Sequence, residues 1–166
     1  MPYSDPLAYF LTWTTYGTWL PGDQRGWFDK PGEWHEPDEY RRMMASLLMT
    51  EDACILNADQ RQIVEATIRR HCQVRSWVLH AVNCRSNHVH VVVTAPGYQP
   101  EVVMDQFKAW CTNKLKDHDK AQKHGKEIRT KWWTERGSRR WINEQTALDG
   151  AVEYVVEQQD GSRFEK

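Results

Sequence analysis

Apolar and aromatic side chains alternate with Thr along residues 8–16, and this period of two predicts a β-strand. The same strand-like composition returns in residues 76–85 and 88–95, which flank a short polar turn. Because so short a connection favours antiparallel neighbours, the pattern predicts that these two segments form a hairpin.

Three other segments repeat their apolar positions every three or four residues, which is the period of an amphipathic helix. They are residues 57–74, 101–118 and 143–159. Asn57 or Asp59 would cap the first of these helices, since a short polar side chain there can accept a hydrogen bond from an N–H group of the first turn.

Residues 129–142 carry strand-like aromatics around Gly137 and supply a fourth strand. The order of elements is then strand, helix, strand, strand, helix, strand, helix. This order predicts an α+β fold, namely a ferredoxin-like sandwich with an antiparallel sheet and an additional C-terminal helix. No repeat or change of composition marks a second domain, so residues 1–166 are predicted to form one domain.

Residues 17–37 interrupt this pattern with several Pro and Gly residues, and they are predicted to form a loop-rich insert. Three tryptophans within it should hold it against the rest of the domain. A loop of this length in a compact domain is usually functional or poorly ordered. Residues 38–49 follow as a short helix, with acidic side chains at its start that suit the helix dipole.

Length and composition then narrow the class of protein. A chain of 166 residues can bury a core without disulfides or a structural metal. No window approaches the roughly 18 consecutive apolar residues of a membrane span, and the first residues lack the layout of a secretory signal. The four cysteines are widely spaced, which favours reduced thiols. These features predict a cytoplasmic protein.

The net charge of −1 conceals a strong segregation of charge. Residues 1–60 carry ten acidic side chains against four basic ones, whereas residues 108–140 carry eleven Lys or Arg against four Asp or Glu. Cations neutralise phosphates and flat rings stack on unpaired bases, so a basic segment that also holds Trp110, Trp132 and Trp133 is suited to a nucleic-acid groove. A solvated helix face beside core tryptophans would account for the same pattern.

Adjacent residues alternate across a strand, so only one of Trp132 and Trp133 can face DNA, and Trp133 is the candidate for stacking. The side chains predicted to contact DNA phosphates share a positive charge and lie within this basic segment: Lys108, Lys114, Lys116, Arg129, Lys131, Arg136, Arg139 and Arg140.

The sharpest motif is Asn-His-Val-His-Val-Val-Val at residues 87–93. Successive side chains of a strand point to opposite faces, so His88 and His90 share one face while the valines at 89, 91 and 93 occupy the other. Two imidazoles side by side on a strand are half of a divalent-metal site. Paired histidines that only hydrogen-bond at a surface would show the same spacing.

The last predicted helix carries Tyr154 and Gln158 at positions i and i+4, one turn apart on one face. A hydroxyl nucleophile and a neutral oxygen ligand could therefore dock together over the histidines. Two neutral imidazoles and an amide oxygen leave a divalent ion with positions for phosphate oxygens and water, which favours Mg or Mn. The alternative is that Tyr154 borders an apolar stripe and Gln158 is solvated.

Several motifs in order along the chain resemble the HUH single-tyrosine transposases of small bacterial insertion sequences. They are NHVHVVV, the basic and Trp-bearing middle, WWTERGSRRWI at 132–142 and EYVVEQQ at 153–159. The opening FLTWTTYGTWLPGDQRGWF at 10–28 further resembles the REP-associated tyrosine transposase (RAYT) branch of that family. The resemblance spans residues 8–160.

The resemblance implies the HUH endonuclease fold, with His88, His90 and Gln158 as metal ligands and Tyr154 as the nucleophile. It also implies metal-dependent cleavage and rejoining of single-stranded DNA at hairpins, through a 5'-phosphotyrosine and a free 3'-OH. Because the covalent link conserves the phosphodiester energy, a second 3'-OH can reverse the step without ATP. Family members act as monomers or as homodimers that exchange their tyrosine helices, and both remain open for this chain.

Two alternatives of other classes remain at this point. A domesticated protein could bind and process repeat hairpins without transposing, and the complete His, His, Tyr, Gln set does not exclude it. A zinc-stapled module could use Cys84 together with His88 and His90 as a structural site.

Overall fold

The fold is described from a computed structural model, which describes residues 5–123 and 127–157. Its elements, in chain order, are β1 (Ala8–Thr14), β2 (Trp27–Phe28), β3 (Trp34–His35), α1 (Glu39–Leu47), α2 (Ala58–Arg75), β4 (Val78–Cys84), β5 (His88–Thr94), α3 (Pro100–Lys123), β6 (Ser138–Ile142) and α4 (Gln145–Glu157).

The four long strands form one antiparallel sheet in the order β4-β5-β1-β6. The predicted hairpin is the β4–β5 pair at one edge, and β1 lies in the middle between β5 and β6. This is the strand order of a ferredoxin-like sandwich, so the predicted α+β class with an antiparallel sheet is confirmed. The central position of β1 brings the start of the chain beside the histidine-bearing strand.

Helices cover both faces of the sheet. On one face α2 and α3 pack over the main core, in which Leu11, Val91 and Phe107 are completely buried. On the other face α4 packs through Val155 onto a smaller cluster that includes Val92 of β5. Because β5 is buried on both faces, its alternating side chains serve two different layers.

The ends of α2 show how local sequence fixes an element. Asn57 is its N-cap and forms a capping box with Gln60, in which each side chain accepts a hydrogen bond from the other residue's backbone N–H. Ser76 ends the helix in the left-handed region, with φ of 58°. Of the two predicted candidates for the N-cap, Asn57 and Asp59, the structure selects Asn57, and after Ser76 the chain turns directly into β4.

The insert is more ordered than its Pro and Gly content predicts, because β2 and β3 form a small hairpin within it. The Trp27 ring stacks on His35 with ring centroids 4.4 Å apart, and the Asp29 carboxylate lies 2.7 Å from Nε2 of the same histidine. The helix predicted over residues 38–49 is α1, which begins after its N-cap Asp38.

The segment predicted as a strand over residues 129–142 is a strand only from Ser138 onward. Arg136 has a positive φ of 65°, and a Cβ on Gly137 would lie 2.5 Å from the carbonyl oxygen of Thr12. The backbone therefore makes a close approach that requires glycine just before β6. Upstream of this bend, the Trp132 side chain is buried in the core. The backbone here still meets the end of β1, because the Trp132 carbonyl accepts a hydrogen bond from the N–H of Tyr16 and Trp133 forms an isolated bridge with Thr15.

The four cysteines, Cys54, Cys72, Cys84 and Cys111, are buried and form no disulfide. Burial raises the pKa of each thiol, for Cys54 to about 11, so they behave as small apolar side chains. Among the described residues, no helix is long and apolar enough to cross a membrane.

Candidate active site

The two histidines of β5 lie side by side under α4. His88 is completely buried and His90 is 2% exposed, and their ring centroids are 4.7 Å apart. Strand alternation turns them toward α4, whereas Val89 and Val91 point into the main core. The prediction that His88 and His90 share one face of the sheet is therefore confirmed, and α4 covers that face.

Each imidazole is held through its Nδ1 atom. Nδ1 of His88 lies 2.8 Å from Oδ1 of Asn87, and Nδ1 of His90 lies 2.7 Å from Oγ1 of Thr12 on the adjacent strand. A carbonyl oxygen can only accept, so Nδ1 of His88 carries the proton and Nε2 keeps its lone pair. These bonds orient both rings in the way that outer-shell hydrogen bonds orient metal-ligating histidines.

Burial lowers the pKa of His90 to about 3, and the neighbouring His88 lowers it further in the same direction. His90 is therefore neutral at physiological pH, because the charged imidazolium would lose its hydration in this position. Neutral imidazole is the form that binds a metal ion.

Tyr154 of α4 completes the cluster. Its ring meets the His90 ring edge to face at a centroid distance of 5.6 Å, and Phe10 lies 5.6 Å from His90 and 6.1 Å from Tyr154. Phe10 thus separates the cluster from the edge strand β6 and forms its apolar side. A phenol and two imidazoles from residues far apart in sequence come together within one chain. Gln158, the fourth predicted member, lies outside the described residues.

The donor atoms suit a divalent cation that is bound only in part by protein. Among residues 5–123 and 127–157, no third His, Cys, Asp or Glu joins His88 and His90 at ligating distance. Within this part of the chain, the further ligands available to such an ion are neutral oxygens, water or the phosphate of a substrate, which is the environment that Mg commonly retains.

The described residues do hold one group of three potential ligands, Asp29, Glu33 and His35 at the β2–β3 hairpin. Asp29 already accepts a hydrogen bond from the backbone N–H of Glu33 and pairs with His35. These contacts close the β2–β3 hairpin and account for why the three side chains lie together. The group is remote in sequence from the histidines of β5.

The zinc-stapled alternative is not supported. Cys84 pairs with Val89 across the β4–β5 ladder, so its side chain points into the main core and away from His88 and His90. Burial also raises the pKa of this thiol, which disfavours the thiolate that zinc requires.

The predicted DNA contacts fall in different environments, and two of them are used inside the protein. The Lys108 ammonium donates to the backbone carbonyls of Thr134 and Arg136, and burial lowers the pKa of Lys108 to about 8. The Trp133 indole N–H donates to Thr112 of α3, and its ring packs edge to face on Trp13. Both side chains tie the segment before β6 to the rest of the domain.

Arg129 and Lys131 lie beside Glu51, at the base of the insert. The Glu51 carboxylate accepts from the backbone N–H groups of Thr130 and Lys131 and lies 3.7 Å from the Arg129 guanidinium. Burial acts to raise the pKa of Glu51, but these hydrogen bonds and the Arg129 charge outweigh it and hold the pKa below its ordinary value. Lys114 is exposed on the helical layer, where it borders a groove with Arg70. Lys116 is half-buried there.

Arg139 and Arg140 are both exposed on β6, but they belong to opposite faces of the sheet. Arg140 pairs with Phe10 in the β1–β6 ladder, which places it on the face of the histidines and Tyr154. Arg139 pairs with Leu11 on the other face and lies 3.4 Å from the Glu101 carboxylate. Arg140 is therefore the arginine next to the cluster.

Sequence reasoning missed three residues of this site. Phe10 and Thr12 occur in an ordinary strand pattern. The predicted fold places this strand beside β5, but no local pattern gives the register that sets Thr12 opposite His90. Asn87 belongs to the histidine motif itself, and its position directly before His88 is the signal that could have identified it.

Comparisons with known proteins identify the family and the fold. The family described as IS200-like transposases matches residues 47–158. Among curated proteins, none matches the sequence significantly. A REP-associated tyrosine transposase, solved bound to a REP hairpin, is similar in structure, with a TM-score of 0.51 and 15% identity over 93% of this chain and 67% of that one.

A Deinococcus radiodurans R1 protein assigned as a transposase is also similar, with a TM-score of 0.52 and 14% identity over 90% of this chain and 88% of that one. At such low identity the two structures establish the fold, and the family match covers more than half of the sequence. The chain therefore belongs to the family of IS200-like transposases.

Proposed function

We propose that this transposase cleaves and rejoins single-stranded DNA that carries hairpins, with Tyr154 as the nucleophile. The observation that supports the proposal is the convergence of His88, His90 and Tyr154 on one face of the sheet. Its substrate class is supported by the similar structure that was solved with a REP hairpin. The protein would act in the cytoplasm, where it associates with the nucleoid when bound to DNA.

In the proposed reaction, the Tyr154 hydroxyl oxygen attacks the phosphorus of the scissile phosphodiester. The phenolic proton passes to solvent, the bond from phosphorus to the 3' oxygen breaks, and that oxygen takes up a proton and leaves as a free 3'-OH. The products are a 5'-phosphotyrosine and a 3'-hydroxyl end, and attack by another 3'-OH reverses the step. Phe10 and α4 hold the phenol beside the imidazoles, which limits the positions that it can adopt.

Nε2 of His88 and of His90 would bind a divalent cation, Mg or Mn, and Gln158 would contribute an oxygen ligand. When bound, such an ion stabilises the charge that develops on the phosphate oxygens. Thr12 and Asn87 orient the two imidazoles through Nδ1, so the protein presents both Nε2 atoms without further rearrangement.

The proposal is tested with purified protein, Mg and single-stranded DNA taken from the sequence that flanks its own gene. We expect a protein–DNA adduct that survives a denaturing gel and carries the 5' end of the cleaved product. Mass spectrometry should locate the nucleotide on Tyr154. Cleavage without an adduct, or an adduct on another residue, would contradict the proposed mechanism.

Mixing two inactive variants should not restore cleavage. In this structure His90 contacts Tyr154 of the same chain, and α4 packs on its own sheet through Val155. A mixture of His88→Ala and Tyr154→Phe proteins then contains no complete site, whereas a dimer that exchanged its helices would rebuild one. The adduct assay on the mixture measures this, and recovery of adduct would show that the tyrosine acts on the partner's histidines.

Arg140→Ala should weaken binding of the hairpin DNA by about tenfold, the loss expected for one charged hydrogen bond to phosphate. Arg139→Ala is the matched control, because Arg139 lies on the opposite face beside Glu101. In a plot of log Kd against log salt concentration, the slope should decrease by about 1 in Arg140→Ala, which corresponds to the loss of one phosphate contact. The slope should not change in Arg139→Ala. Equal losses in the two variants would show that DNA does not approach from the Tyr154 face.

A further inference from the structure

Asn83 lies on β4 in register with His90. The two residues are partners across the β4–β5 ladder, so their side chains share the face that α4 covers. A bulge between Leu79 and Ala81 precedes this part of the strand and sets its register with β5. Asn83 is therefore directed at α4 from the strand next to the histidines.

The Asn83 side chain makes a specific contact with α4. Its Nδ2 atom donates a hydrogen bond of 3.1 Å to the backbone carbonyl of Val155, which directly follows Tyr154. Val155 is completely buried, so the bond lies at the interface between helix and sheet. It connects the strand beside His90 to the peptide unit next to the phenol.

Apolar contacts also hold α4 on the sheet. Leu148 and Val155 pack on Ala81 and Val92. Because the hydrophobic effect is non-directional, such contacts fix the distance of the helix from the sheet more strictly than its position along its own axis. A shift of α4 along its own axis by the rise of one residue, without rotation, would move Tyr154 by about 1.5 Å and keep Leu148 and Val155 on the apolar face. A displacement of about 1 Å in a reacting group can cost roughly 100-fold in rate.

We propose that Asn83 is a positioning residue that fixes α4 along its axis and thereby holds Tyr154 against the histidine pair. This inference rests on the proposed function for its catalytic consequence, but the anchoring of α4 is a property of the fold. A neutral amide suits the position, because it donates to the carbonyl without adding a charge beside His88 and His90.

The test compares Asn83→Leu and Asn83→Asp, which both remove the donor, with Asn83→Gln, which keeps it. Single-turnover adduct formation at saturating DNA and Mg should slow by about 10- to 100-fold in the first two variants. The Kd for DNA should stay unchanged, and Asn83→Gln should recover part of the rate. Thr94→Val is the matched control, since it removes hydrogen bonds to Leu7 and His80 at the other end of β5 and should leave the rate unchanged.

Hydrogen exchange supplies a measurement that does not depend on activity. The amides of α4 should exchange about fivefold faster or more in Asn83→Leu and Asn83→Asp, whereas those of α2 should not change. Unchanged exchange in α4, or a loss confined to DNA affinity, would overturn the inference. If wild-type protein forms no adduct while α4 exchange still depends on Asn83, the proposed function fails and the anchoring role stands.

Discussion

Tyr154→Phe is expected to reduce covalent adduct formation with hairpin DNA to background, a loss of roughly a thousandfold or more. The substitution removes only the hydroxyl oxygen that would attack phosphorus. The ring that packs on Phe10 and His90 remains, so folding and the shape of the site should be preserved. The measurement is the amount of protein–DNA adduct on a denaturing gel, together with the melting temperature of each protein.

Tyr40→Phe is the matched control, because Tyr40 is 69% exposed and lies on α1, outside the strands and the helix that form the cluster. It should form adduct at the wild-type rate. DNA binding by Tyr154→Phe should stay at the wild-type level, since the phenol is assigned to chemistry and not to recognition. An adduct that persists in Tyr154→Phe would refute the assignment of the nucleophile.

His88→Ala and His90→Ala are expected to have the second largest effect, a loss of adduct formation by about a thousandfold. Without the metal ion, the transition state loses several kcal/mol of charge stabilisation. Because each tenfold in rate corresponds to about 1.4 kcal/mol, a loss of about 4 kcal/mol slows the reaction about a thousandfold. Chelation of the divalent ion should reduce the wild-type protein to the same level. Adduct formation measured against Mg or Mn concentration checks both statements.

His118→Ala is a suitable control, because His118 lies on α3 in the helical layer on the other face of the sheet. Binding of Mn, measured by calorimetry, should disappear in the His88 and His90 variants and persist in Tyr154→Phe. Wild-type Mn binding in both histidine variants would show that the ion is held elsewhere, for instance at Asp29, Glu33 and His35.

Periodicity predicted most elements of the fold because each depends on neighbouring residues. The place before an apolar helical pattern made Asn57 and Asp59 the two candidate caps, and the capping box selects Asn57. The strand predicted over residues 129–142 was too long, because the approach of Gly137 to Thr12 depends on a residue more than a hundred positions away. The order of apolar and polar residues within a segment cannot predict a contact between residues so far apart in sequence.

In the candidate site too, local spacing predicted some features and contacts between distant residues decided others. The spacing of His88 and His90 placed them on one face. The helical spacing allowed Tyr154 to dock over them, and the family resemblance assigned it as the nucleophile. The same alternation separates Arg139 from Arg140, but it does not say which of them faces the site. That depends on the pairing of β6 with β1, which puts Arg140 beside Phe10.

The sequence by itself determined the main helices and strands, their order and the two imidazoles on one face, since these follow from spacing along the chain, and its motifs carried the family resemblance. The tertiary structure decided the register of β1 against β5, which brings Thr12 to His90, and the contact of Asn83 with Val155 of α4. It also assigned Lys108 and Trp133 to contacts within the protein. Hydrogen bonds between distant residues require one particular packing of strands and helices, and only the folded chain specifies that packing.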